Sequence, residues 1–344
     1  MKLLLTVDPE IPVPPLGYGG IERIVHMLIV EYVKRGFDLT LCAHPDSKVP
    51  CKLIGWKGRS SRGSSNILKN TLQLTKLVST GRYDAVHSFS RLAYMTALFP
   101  LKIPKIMSYQ REPTLSQAKK AGFISRNGTL VFTGCSNYIS SQLATVGEAY
   151  TIYNGAPMET FSFSLRVDED APLIFLGRIE PIKGTHIAID VAERTKRKLV
   201  IAGNIPPEYK NYFEEKIKPH LNDRIQYVGT VNDLQKNKLL GESAALLMPI
   251  QWNEPFGIVM AEAMACGTPV LGFRRGSVPE VVDHGITGYV STNAEEMAED
   301  VLKLTVLDRS RIREVAELRF SDQKICNDYV ALYRKMIDRN KIKP

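Results

Sequence analysis

Apolar residues along this chain recur in two alternating rhythms. Short unbroken runs (KLLLTV, DLTLCA, DAVHSF, KIMSY, LVFTGCS and YTIYN) are separated by stretches whose apolar positions return every three or four residues, as in IERIVHMLIVEYVKRG and NILKNTLQLTKLVST. A short continuous run reads as a strand buried on both faces, and a period near 3.6 as an amphipathic helix. Their alternation predicts βαβ units around a parallel sheet. The second half repeats the scheme, with PLIFLG, KLVIAG, RIQYVG, ALLMPI and PVLGF as strands and KGTHIAIDVAERT, PEYKNYFEEKI and LQKNKLLGES as helices, then helices to the end. The expected fold class is therefore α/β, with two Rossmann-like, doubly wound domains spanning 1–160 and 171–321. Between them, over 159–171, the sheet pattern lapses and Asp168, Glu169 and Asp170 cluster. Ligands of such sheets bind at the carboxyl ends of the strands, so two facing units imply a deep cleft.

A length of 344 residues suffices for two domains, each with its own core. No run approaches the roughly 20 apolar residues of a membrane helix. The N-terminal Leu3, Leu4, Leu5, Thr6 and Val7 are cut short by Asp8 and followed by Pro9, Pro12, Pro14 and Pro15, which reads as a buried strand instead of a signal peptide. Five scattered cysteines without a CxxC pair suggest neither a disulfide framework nor a zinc site, and a reducing cytoplasm fits them. The net charge of +9 is uneven: residues 1–155 hold 19 Lys and Arg against 9 Asp and Glu. Between Asp46 and Asp84 eight basic residues meet no acid. Such a surface calls for an anionic partner, whether an inner membrane surface met peripherally, a lipid diphosphate or an acidic glycan, with a merely solvated basic face as the plain alternative. Nucleic acid is not expected, because Trp56 is the only aromatic interleaved with the bases until Tyr83.

The candidate chemistry begins with Glu254 and Glu262, eight positions apart in QWNEPFGIVMAEAMACGTPV. Proline at 255 predicts a helix opening near Phe256. On one continuous helix the two carboxylates would stand about 80° and about 12 Å apart, able to border one cleft. Gly257 lets the N–H groups of Gly257 and Ile258 approach an anion at the positive helix end. Glu262 would then accept from ribose hydroxyls and Glu254 from those of an attached sugar. A cap is the plain alternative for Glu254; Glu262, among Ala261, Ala263, Met264, Ala265 and Cys266, needs a partner if it is buried. Arg178 follows a strand and Lys183 precedes a helix in PLIFLGRIEPIKGTHIAI, so both face strand ends and would neutralise a diphosphate. Gly19 and Gly20 precede a long helix and would meet a phosphate or sugar, but LGYGGIER lacks the third glycine of a dinucleotide motif. The Asp168, Glu169, Asp170 cluster sits in a linker, and no metal is expected.

At these residues the chain resembles the retaining GT-B glycosyltransferases of glycosyltransferase family 4, which transfer sugars from nucleotide diphosphates. YGGIER is similar to the family's glycine loop, YDAVHSF to its D-x-V-H strand end, TIYNGA to its I-x-N-G, GRIEPIKG to its G-R-x-x-x-x-K-G and EPFGIVMAE to its E-x7-E. The likeness covers nearly the whole chain. It implies a donor-binding second domain, an acceptor-binding first domain, and a last helix within 322–344 packing back on the first. Arg178 and Lys183 would hold the donor diphosphate, Glu262 the ribose and Glu254 the sugar. Phe256, Gly257 and Ile258 would line the site by backbone, Val231 would lie near the base, and Gly19 and Gly20 over the phosphates. Where many relatives have F-H-T, this chain reads SYQREP, putting Gln110 in place of the histidine and Gln110 and Arg111 on the acceptor side. An assisting imidazole would have to be His87, for which a strand-end structural role is the alternative. The resemblance implies a hexosyltransferase without metal or cofactor that uses a nucleotide diphosphate sugar, UDP-glucose first, and a saccharide or lipid-linked acceptor. A non-hydrolysing UDP-sugar epimerase and a non-catalytic sugar-nucleotide-binding protein are the rival readings.

Overall fold

The structure, a computed structural model, describes residues 1–17, 19–126 and 128–342. The chain forms two compact units, one of residues 1–154 with the chain from Asp322 onward, the other of Gly155–Ser321.

The first unit holds strands β1 (Lys2–Thr6), β2 (Asp38–Ala43), β3 (Lys52–Gly55), β4 (Ala85–Ser88), β5 (Lys105–Tyr109), β6 (Leu130–Gly134) and β7 (Ala149–Thr151), with helices α1 (Gly20–Lys34), α2 (Ser64–Gly81), α3 (Leu115–Ile124) and α4 (Asn137–Ala144). The sheet is parallel in the order β3-β2-β1-β4-β5-β6-β7. Its order reverses between β1 and β4, the doubly wound switch point. In α1 the buried Ile24, Val25, Leu28, Ile29 and Tyr32 repeat at helical spacing, as the sequence pattern requires.

The second unit holds β8 (Leu173–Leu176), β9 (Leu199–Ala202), β10 (Ile225–Tyr227), β11 (Ala245–Met248), β12 (Val270–Phe273) and β13 (Gly288–Ser291). Its helices are α5 (Thr185–Thr195), α6 (Lys210–Lys216), α7 (Asp233–Glu242), α8 (Ile258–Ala265), α9 (Val278–Val281), α10 (Ala294–Val301) and α11 (Arg309–Phe320). This sheet is also parallel, in the order β10-β9-β8-β11-β12-β13, and switches between β8 and β11. Strand β13 goes beyond the sequence reading, which placed helices throughout that region. Its first residue approaches β12 so closely that a Cβ on Gly288 would stand 1.8 Å from the Val270 carbonyl oxygen. Residues 159–171, read from sequence as a seam, lie within this unit. Phe161 is buried, and the Ser164 N–H donates to the Cys266 carbonyl at 3.0 Å.

The last helix, α12 (Asp322–Ile342), belongs to the first unit and packs on α1; positions 343 and 344 of the expected helix lie outside the described residues. A buried polar chain ties α12 to the sheet. The Tyr32 and Tyr333 hydroxyls lie 3.1 Å apart, Tyr333 Oη is 2.5 Å from His87 Nδ1, and His87 Nε2 is 2.6 Å from Ser108 Oγ, which in turn meets Tyr329 Oη at 3.2 Å. His87 is 0 % exposed, and burial pulls its imidazole down to about 3. Between about 3 and the ordinary value near 6.5, only the unfolded chain takes up that proton. The contribution of His87 to stability is therefore complete above about pH 6.5 and is lost progressively as the pH falls. Urea midpoints should decline on acidification from about pH 7 to 4, and more shallowly in a His87→Asn variant; equal slopes would remove His87 as a source.

Candidate functional site

In the second unit the two loops at the switch point, after β8 and after β11, carry most of the singled-out residues. They are locked together by backbone. The Gln251 N–H donates to the Ile182 carbonyl at 2.7 Å, and Gly184, at φ +76°, lies where a Cβ would stand 2.0 Å from the Pro249 oxygen. Lys183 is thereby brought to Glu254, with Nζ 2.6 Å from Oε2. The Trp252 indole donates to the same oxygen at 3.0 Å, and the Lys183 ammonium lies 5.0 Å from the Trp252 ring centre. Arg178 meets Glu180 at 2.8 Å. Glu180 is 2 % exposed, and desolvation raises its carboxyl while Arg178 and Lys183 hold it down. Two cations and two carboxylates thus form one electrostatic cluster at the carboxyl edge of the sheet.

The single-helix geometry expected for Glu254 and Glu262 does not hold. Gly257 is left-handed at φ 72°, ψ 71°, and α8 starts at Ile258, not near Phe256, so Glu254 stands in the preceding loop. The helix breaks there because only glycine adopts that conformation without penalty. Gly257 also leaves the first turn of α8 without a side-chain cap, so its N–H groups point at whatever faces the helix start. The Phe256 side chain is buried against Phe320, 5.7 Å between ring centres, which leaves its backbone to face the loop. Glu262 is 6 % exposed in α8 and pairs with Lys236 of α7. Lys236 Nζ also lies 3.4 Å from Asp233 and 5.1 Å from the Phe161 ring centre. Val231 directly precedes Asn232, whose side chain caps this same helix, so the position expected near a base and the partner of Glu262 share one helix start.

In the first unit Gly19 caps α1 at φ 159°, and a Cβ there would stand 2.6 Å from Pro15 Cβ; Gly20 is the first residue of the helix. Arg111 donates to Asp8 Oδ2 at 3.2 Å, and the Asp8 carboxyl is raised by burial, offset by Arg111. Gln110 Oε1 accepts from Asn154 Nδ2 at 2.6 Å. At the switch point Thr6, Ser88 and Ser90 form a buried triangle of hydroxyls with sides of 2.7 to 3.0 Å. His87 stands apart from these groups. Both its ring nitrogens are engaged beneath α12 and it has no exposed surface.

Three participants escaped the sequence reading: Glu180, Trp252 and Lys236. Glu180 was visible as a carboxylate between Arg178 and Lys183 in GRIEPIKG, and Trp252 two residues before Glu254. Lys236 gave no signal, since a lysine in NDLQKNKLL reads as one of several solvated helix charges. A separate cavity of about 460 Å³ lies between the starts of α5 and α10, lined by His186, Asp190, Gln251, Arg275 and Asn293, and none of the expected residues borders it. Among the described residues no group of three or more His, Cys, Asp or Glu is arranged to hold a metal.

Gly276 fixes the Glu254 main chain. The neighbouring Ser277 N–H donates to the Glu254 carbonyl at 2.9 Å, and at φ +54° a Cβ on Gly276 would stand 2.3 Å from that oxygen and 2.5 Å from the Glu254 nitrogen. Gly276→Ala should therefore destabilise by about 1–3 kcal/mol and displace Glu254 from the Trp252 indole, read as a shift in tryptophan emission. An unchanged urea midpoint and emission spectrum would show that this contact does not hold the loop.

Residues 18–159 match glycosyltransferase family 4, and residues 158–317 match the glycosyl transferases group 1. A glycogen synthase from Mycobacterium tuberculosis is 31% identical over 334 residues, covering 80% of this chain and 79% of that protein. Sucrose-phosphate synthase from Thermosynechococcus elongatus superposes with a TM-score of 0.81 at 17% identity over 98% of this chain and 99% of its own. Anabaena HepE in complex with UDP-glucose superposes with a TM-score of 0.76 at 18% identity, over 97% of this chain and 100% of its own. With two parallel sheets and a C-terminal helix that belongs to the first unit, the chain belongs to glycosyltransferase family 4, the glycosyl transferases group 1, and transfers a sugar from a nucleotide sugar.

Proposed function

We propose that this enzyme is a metal-independent hexosyltransferase that moves glucose from UDP-glucose, with retained anomeric configuration, to a saccharide or lipid-linked acceptor. The observation that carries the reading is the Lys183–Glu254 pair at 2.6 Å, beside Arg178 and Glu180, at the switch point where open α/β sheets bind their ligands. UDP-glucose is favoured as donor by the likeness to HepE, which binds it.

In this reading the second unit takes the donor. Arg178 and Lys183 neutralise the diphosphate, helped by the uncapped start of α8. The diphosphate competes with Glu254 for the Lys183 ammonium, which frees carboxylate lone pairs for hydroxyls of the sugar. Glu262, paired with Lys236, accepts from the ribose, and the base lies by Val231. The first unit takes the acceptor, with Gln110 and Arg111 on the acceptor side. As the diphosphate departs, positive charge develops on the sugar and negative charge on the leaving oxygen. Arg178 and Lys183 stabilise the latter, and that oxygen takes the proton of the attacking acceptor hydroxyl. Transfer on that face leaves no task for a protein imidazole, in keeping with the buried state of His87.

Lys183→Ala should lower kcat about 10²-fold or more, as the loss of a charge stabiliser does. Near-native turnover would rule Lys183 out of the reaction. A thermal-shift panel of UDP-, GDP- and ADP-sugars should give its largest shift with UDP-glucose, roughly 2.7 kcal/mol of stabilisation at 100 times Kd. A larger shift with a GDP- or ADP-sugar would reassign the donor, and interconversion of epimers without acceptor would replace transfer by epimerisation.

A further inference from the structure

Phe123 leaves 90% of its surface in solvent, and Ile124 beside it 48%. Both end α3, a helix that buries only Ala118 and Ala121 and leaves Lys119 and Lys120 exposed. The Arg126 N–H donates to the Phe99 carbonyl at 2.8 Å, which brings the loop before β5 alongside, with its exposed Leu101 and Lys102. Lys105, buried at the start of β5, fixes this loop by donating to the Leu101 and Ile103 carbonyls at 2.7 and 2.9 Å. An apolar tip is thus ringed by bases. Acids are few along this stretch: between Asp84 and Glu148 the sequence has only Glu112, against seven lysines and arginines, and the end of α12, whose Asn340 donates to the Lys102 carbonyl at 2.9 Å, carries Asp338 together with Arg339 and Lys341.

An exposed aromatic next to an exposed isoleucine marks a surface that something covers. A ring of lysines and arginines selects an anionic cover, and apolar side chains at its centre select one with a hydrocarbon boundary beneath its charges. A bilayer rich in anionic phospholipid has both; a nucleic acid would need further stacking rings. We propose that Phe123 and Ile124, within the ring of Lys102, Lys119, Lys120 and Arg126, dock reversibly on an anionic phospholipid surface. The tip lies where β5 and β6 begin, at the sheet edge opposite the one bearing Gln110 and Arg111, so docking leaves the acceptor side open. The inference rests on the proposed function only in that a lipid-linked acceptor gives such docking a use. Among the described residues no helix is long and apolar enough to cross a membrane, so contact through this surface would be peripheral.

The test is co-sedimentation of the full chain with phosphatidylcholine vesicles made with and without phosphatidylglycerol. The protein should bind the anionic vesicles and leave them as salt is raised. Partition should fall about 5-fold for each basic residue removed, in Lys119→Met with Lys120→Met, and on the order of 10-fold in Phe123→Ser. The Phe123→Trp variant should show blue-shifted emission on anionic vesicles alone. Equal binding to neutral vesicles, native binding by the Lys119 and Lys120 variant, or unshifted emission from the Phe123→Trp variant would each overturn the proposal. So would an equal loss on removing Lys69 and Lys76 from α2, which would make net charge the cause. Nucleotide-sugar thermal shifts should be native in every variant; a protein that docks but binds no nucleotide sugar would sink the proposed function and leave this surface standing.

Discussion

Burying a carboxylate is expensive, and around its candidate site the second unit buries three: Glu180, Glu254 and Glu262, all at or below 9% exposure. Each is balanced by a separate cation, Arg178, Lys183 and Lys236 respectively. Well-packed apolar residues would stabilise the unit as well or better, so such pairs are poor stability devices. In the proposed function their value lies in exchange. There a diphosphate would supply the negative charge that the carboxylates now supply to Arg178 and Lys183, and sugar hydroxyls would supply the donors that Glu254 then lacks. The candidate site is held by charges that are already paired, at a sheet switch point that positions them without a ligand.

The surrounding structure keeps those pairs in register. Helix α8 is fixed from behind by α11. Arg309 donates to the Ser164 and Ser243 carbonyls at 2.7 and 3.1 Å and to Thr268 Oγ1 at 2.8 Å, and Arg313 donates to the Phe161 carbonyl at 2.8 Å and to the terminal α8 carbonyl of Ala265. A cation on the last carbonyls of a helix complements its dipole and satisfies its orphan acceptors. The start of α8 stays uncapped while its end is closed. The same arginines bind residues 159–171 to this unit, which is why that stretch does not behave as a free linker.

The first unit is built differently. Beneath α12 its interior polar groups are neutral, a chain of tyrosine, histidine, serine and threonine joining α1, α12 and the middle of the sheet. Most of its charges lie outside. The second unit instead buries paired charges at its candidate site.

The sequence by itself determined the two parallel sheets and the chemistry in play. Buried strands and amphipathic helices imprint local periods, and GRIEPIKG and EPFGIVMAE name Arg178, Lys183, Glu254 and Glu262 without reference to any contact. Strand β13 stayed hidden because GYVS is too short for a period, and the start of α8 was misread because proline at 255 marks a helix entry only when the residues after it stay right-handed, which Gly257 does not. Tertiary structure alone decided the partners. Glu262 meets Lys236 and His87 meets Tyr333, pairs 26 and 246 positions apart, because strand order brings their elements together. Local pattern carries no information about which distant element a buried charge or imidazole will face, so the sequence leaves His87 between an assisting and a structural role, and only the fold places it beneath the last helix with both ring nitrogens engaged.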